Sequence, residues 1–112
     1  MAGLRAGGEN MQMLMEVEIP NEPFNTLLKN GTVGETLQAT LDDIKPAAAY
    51  FSEQDGSRGA WMLVDVSDPA RIPGLAEPFF VRFNASVKFR VCMSPDDLAR
   101  SGLEQIGRKL AS

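Results

Sequence analysis

Residues 45–66 read KPAAAYFSEQDGSRGAWMLVDV, and this stretch decides the architecture. Ala47 to Ser52 is a strand carrying the only tyrosine, Tyr50, beside Phe51. Gln54-Asp55-Gly56-Ser57 supplies turn chemistry, with Gly56 free to take a positive φ. Trp61-Met62-Leu63-Val64-Asp65-Val66 follows as a nearly unbroken apolar run. A strand apolar on both sides of its pleat belongs in the interior of a sheet covered on both faces. The hairpin settles the layout and leaves the chemistry open.

Upstream, Met11 to Ile19 alternates, with Met11, Met13, Met15, Val17 and Ile19 on one side and Gln12, Leu14, Glu16 and Glu18 on the other. That is a half-covered strand, stopped by Pro20. Asn21 is placed to cap a short helix that Asn30-Gly31 ends. Thr32-Val33-Gly34-Glu35 matches a capping box, opening a second helix whose Val33, Leu37, Leu41 and Ile44 form one stripe. Residues 1–10 have no periodicity and read as a flexible leader, or as sequence ahead of a start at Met11 or Met13, before a single domain over 11–112.

Downstream, Ser67-Asp68-Pro69 starts another helical segment, and Pro73 and Pro78 predict that it breaks into short turns. Its Phe79, Phe80 and Phe83 should pack on the sheet. Ala85 to Met93 alternates again, setting Lys88 and Arg90 on the side away from Val87 and Phe89. Ser94 then caps a final helix with Ala99, Leu103, Ile106 and Leu110 on one side.

The totals narrow the classes. A net charge of −4 with no long basic run argues against nucleic acid. No apolar run approaches the ~20 residues that span a bilayer, nor does residues 1–10 hold a signal-peptide core, so the default address is the cytoplasm. A single cysteine, Cys92, allows no intrachain disulfide and sits where a strand cysteine is chiefly a small hydrophobe. Histidine is absent, which removes Ser-His and Cys-His nucleophilic catalysis, His-ligated haem and the usual zinc sites. No nucleotide fingerprint or metal cluster is present, so no cofactor is expected.

The element order β-α-β-β-α-β-α fits an α+β, ferredoxin-like antiparallel sheet of order 4-1-3-2 with helices on one face. Its other face would carry Leu14, Trp61 and Leu63, too much apolar surface for water, and a second copy of the chain is the economical cover.

On these residues the chain resembles the dimeric α/β-barrel superfamily, in which two ferredoxin-like chains pair their sheets around a cavity. The segments KPAAAYFSEQDGSRGAWMLVDV and IPGLAEPFFVRFNASV also resemble a group of small bacterial proteins of unknown function, whose pattern Pro-x-Ala-Ala-Tyr-Phe, Gly-x-Arg and Ile-Pro-x-x-Ala-Glu-Pro is matched here by Pro46, Ala48, Ala49, Tyr50, Phe51, Gly56, Arg58, Ile72, Pro73, Ala76, Glu77 and Pro78. The superfamily includes cofactor-free monooxygenases, lactone isomerases, haem enzymes and proteins with no known reaction, so the likeness implies a fold and a homodimer rather than an activity.

The candidate residues on the expected cavity face are Glu16, Glu18, Tyr50, Lys88 and Arg90, with Trp61 as an aromatic wall. In one reading the charges pair across adjacent strands and pin register. In the other, Glu16 or Glu18 is a base, and Tyr50 with a cation stabilises an enolate or phenolate. Arg58 is either solvated or reaches back to an anionic ligand; Glu77 either caps a helical turn or faces the cavity mouth. Two functions follow: a homodimer binding or transforming a small aromatic or lactone-like molecule, by monooxygenase-like or isomerase-like chemistry if it is an enzyme, or a dimeric structural protein whose cavity is filled by its own side chains.

Overall fold

The computed structural model describes residues 11–111, and the expected leader at 1–10 lies outside them. The elements run β1 (Met11–Ile19), α1 (Asn21–Lys29), α2 (Val33–Ile44), β2 (Ala48–Gln54), β3 (Ser57–Val66), a 3-10 turn (Pro69–Arg71), α3 (Ile72–Phe83), β4 (Ser86–Cys92), α4 (Pro95–Arg100) and α5 (Leu103–Ala111). The strands form one antiparallel sheet in the order β2-β3-β1-β4, which is the expected 4-1-3-2 read from the other edge. The hairpin turns on Asp55 and Gly56, both at positive φ (52° and 84°), the pairing that matches strand twist in a two-residue turn. No helix among the described residues is long and apolar enough to cross a membrane.

Period-2 alternation puts Met15, Val17 and Ile19 of β1 and Ala60, Met62, Val64 and Val66 of β3 on one face. There they meet Ile44 of α2 and Leu75, Phe79 and Phe83 of α3, all nearly inaccessible. Phe80 points away and stays exposed. A polar tie joins the two long helices: Arg82 donates to the Asp43 carboxylate (2.7 Å) and to the buried Thr40 hydroxyl (3.1 Å), which itself donates to the Thr36 carbonyl. The buried hydroxyl is thus satisfied as donor and acceptor.

Several local expectations are corrected. The prolines do not break the segment after β3: α3 is continuous from Ile72 to Phe83 with Pro78 inside it. Pro73 sits in the first turn, where its missing N–H is harmless, and the residue four before Pro78 is Gly74. An interior proline costs about 3 kcal/mol, and burial of Leu75, Phe79 and Phe83 at ~1.5–3 kcal/mol each outweighs it. The C-terminal helix, conversely, splits in two where Gly102 takes φ 78°. Its start is as expected: Ser94 and Asp97 form a reciprocal capping box.

Neither cap ahead of α2 forms as read. Asn21 makes no cap; Glu22, with extended backbone, accepts from the Thr26 N–H and hydroxyl instead. The Thr32 hydroxyl donates to Asn30 Oδ1 (2.6 Å), so it is withdrawn from the capping box. Glu77 lies mid-α3 and exposed, at neither a helix start nor the sheet.

Candidate functional site

The sheet face away from α1, α2 and α3 is organised in cross-strand rows. The central row reads Tyr50 (β2), Trp61 (β3), Glu16 (β1), Lys88 (β4), each residue the direct partner of the next. One row away lie Ala48, Leu63, Leu14 and Arg90; on the other side lie Ser52, Gly59, Glu18 and Ser86. The six residues expected on one face are therefore gathered there. Alternation alone accounts for it, since a strand exposes every second residue to the same side.

Glu16 is the chemical centre. It is only 8% exposed, while its partner Arg90 is 69% exposed. Arg90 Nε donates to Oε2 at 2.8 Å, and Nη2 lies 2.8 Å from the same oxygen in the ion pair. The contact is diagonal: Lys88, not Arg90, stands opposite Glu16, and Arg90 reaches across from its place beside Leu14. The longer guanidinium spans that diagonal and offers two N–H groups, whereas an ammonium offers a point charge. Oε1 accepts no protein hydrogen bond among the described residues. Glu18 and Lys88 form no ion pair among them either. The arrangement is a nearly buried carboxylate with one oxygen held and one available, flanked by an indole. Tyr50 is 70% exposed in the single chain.

Gly59 serves the same surface. A Cβ there would meet the Gln54 Cβ at 2.6 Å and two backbone carbonyls at 3.1–3.2 Å, so only glycine lets β2 and β3 close up beside Trp61.

Arg58 is placed apart from the other six, on the helix-side face with Ala60 and Met62. It is not a solvated turn residue. Its guanidinium carbon lies 4.2 Å from the centroid of Phe24 on α1, and its Nη1 is sealed from solvent with no acceptor. Such an orphan charged donor costs at least ~1–3 kcal/mol. Arg58 lines a cleft of about 570 Å³ between the hairpin and α1–α2, with Ile19, Phe24, Leu37 and Phe51. Sequence reasoning offered Arg58 as a candidate for an anionic ligand, without placing it on this face or in this cleft. Counting by twos from buried Met62 would have assigned its face, although the packing of Phe24 is long-range and invisible to any local pattern.

A second cleft, about 880 Å³, lies where Met11, Gln12 and Cys92 meet α4. Two of its three acids are committed, Asp97 to the Ser94 cap and Arg100 and Asp96 to Arg100, while Asp65 is the third. The hydrogen bond it accepts from the Ser94 N–H, followed by the nearby Ser94 side chain and the Arg100 charge, holds the Asp97 carboxyl below its usual range. The Cys92 thiol donates weakly to the Arg90 carbonyl at 3.5 Å. Among the described residues there is no group of three or more Cys, Asp or Glu that could hold a metal ion.

Compared with known proteins, the chain matches no family model, no curated protein and no solved structure. The site must be read from its own geometry.

Proposed function

We propose that the chain works as a homodimer that holds a small aromatic or lactone-like molecule between two opposed sheets, in the manner of a ferredoxin-like dimeric α/β barrel, without metal or nucleotide. The observation that supports this reading is the uncovered row Tyr50–Trp61–Glu16–Lys88, which joins aromatic surface to a nearly buried carboxylate. Four strands ~4.8 Å apart and about seven residues long present roughly 450 Å² of flat surface per chain. A stable interface takes about 800 Å² per partner. The apolar side of α5, where Leu103, Ile106 and Leu110 are all exposed, is the natural source of the remainder.

In such a cavity the ring of a ligand stacks on Trp61 and its acidic proton passes to Glu16 Oε1. Arg90, Lys88 and the Tyr50 hydroxyl then stabilise the enolate or phenolate. Arg90 both orients the base and supplies positive charge. A second reading, a structural dimer with a self-filled cavity, is favoured by the position of Trp61 at the centre of the row, where two indoles would occupy much of the space.

Light scattering tests the assembly, and a stable monomer at micromolar concentration overturns both readings. A thermal-shift screen of aromatic and lactone compounds then separates them, because a ligand that binds the native state adds ~2.7 kcal/mol of stability at a hundredfold excess over Kd and so raises the melting point. Tyr50→Phe should change the shift and leave the unliganded melting point alone. A dimer that no compound stabilises belongs to the structural reading.

A further inference from the structure

We infer that the cleft between the β2–β3 hairpin and helices α1 and α2 binds a small apolar monocarboxylate, with its carboxylate on Arg58. This site lies on the opposite side of the sheet from Trp61, so it stands independently of the dimer cavity.

Three observations converge. The first is the missing partner: no guanidinium nitrogen of Arg58 makes a hydrogen bond or ion pair among the described residues, and the residue lines the cleft, although charged donors in apolar surroundings are almost always paired. The second is geometric. The guanidinium carbon lies over the Phe24 ring at 4.2 Å, a cation–π contact that holds the charge beside the cleft wall, and a guanidinium is the cation best matched to a carboxylate. The third is the surrounding chemistry. Ile19, Leu37, Phe51 and Phe24 make the cleft wall apolar, and its volume of about 570 Å³ suits a ligand of small-molecule size.

The hairpin's own acid is diverted from this role. Glu53 stands directly opposite Arg58, yet its Oε2 accepts the Gly56 N–H at 2.8 Å within the turn, and it forms no ion pair with Arg58. Glu53 also lines the cleft, so its negative charge disfavours a dianion such as a phosphate monoester and leaves a singly charged acid as the better fit. An apolar tail with one carboxylate meets both the unpaired cation that lines the cleft and its apolar wall.

Octanoate, 1-octanol and octylamine, titrated into the full chain and followed by calorimetry and backbone amide NMR, test this. Octanoate is expected to bind about 10- to 100-fold more tightly than 1-octanol, with octylamine weakest, the margin of a charge-assisted pair. Shifts should fall on Ile19, Phe24, Leu37 and residues 56–59, while the Trp61 indole signal stays put. Arg58→Met should remove the preference for octanoate over octanol. Phe51→Ala, at an exposed position that the fold tolerates, should weaken both ligands several-fold and keeps the test sound if Arg58→Met does not fold. Equal affinity for acid and alcohol, no octanoate binding up to about 10 mM, or shifts centred on Leu14, Trp61 and Leu63 would overturn the proposal. The last result would place the ligand in the dimer cavity, so the two sites fail separately.

Discussion

Met62 and Trp61 are neighbours on one strand, and they end in different surroundings. Met62 is fully enclosed against α2 and α3, while Trp61, pointing the other way, is only half-covered. The same contrast runs along the sheet: Met15, Val17 and Val64 on one face are sealed, and Leu14 and Leu63 on the other are not. The helix-side face is wholly apolar at its centre, while the open face sets Leu14, Trp61 and Leu63 beside Glu16, Lys88 and Arg90, and only the first is covered by helices. β3 is largely apolar on both sides of its pleat, and within the chain only one of those sides is covered by helices.

The largest expected effect is on the sealed face. Phe79 is fully buried and touches Phe83 at a ring-centroid distance of 6.1 Å, so Phe79→Ala should cost about 3–5 kcal/mol in urea unfolding. A loss under 1 kcal/mol would mean the helix-side core is not the stability-bearing one. Next is the ion pair. Glu16 is nearly enclosed but Arg90 mostly is not, so Arg90→Ala should cost about 1–2 kcal/mol in a single chain, and more, toward ~3–5 kcal/mol, if a second sheet closes over it. If the proposed dimer forms, measuring the loss well below and well above its dissociation constant separates the two values.

Smaller still in stability is Leu63→Ser on the open face, within about 1 kcal/mol for the isolated chain. It should nevertheless shift light scattering toward monomer, and if scattering is unchanged, the open face is not the contact. The slightest effect concerns acid. Because the Asp97 carboxyl is held below its ordinary value of 3.8, its contribution is fully present above that value and is lost as pH falls through its lowered folded-state value. Circular dichroism should therefore show α4 and α5 fraying in acid below about pH 4, and Asp97→Asn should remove that step.

The sequence made the strands legible because period-2 patterns are local. Met11 to Ile19 reads as a strand, and the Asp55-Gly56 turn with its register follows from residues close together in the chain. The central row of the site was legible for the same reason. What escaped depends on neighbours far away. Pro78 was a helix breaker by propensity and is helical because three apolar residues around it are buried. Asn30 took the Thr32 hydroxyl that a capping box needed, and Arg90 rather than Lys88 won Glu16 through side-chain reach. Arg58 belonged to a cleft defined by Phe24, 34 positions earlier.

The register between β1 and β4 has a mechanical consequence. Gln12 pairs with Cys92 and Glu18 with Ser86, so the outgoing end of β4 lies beside the incoming end of β1. Tension applied through the two ends of the chain therefore pulls this pair apart like a zipper, loading the hydrogen bonds one after another from Gln12 onward rather than all together in shear. The chain should yield at low force when drawn by its ends, with β4 peeling away first from a remainder of β1, β2 and β3.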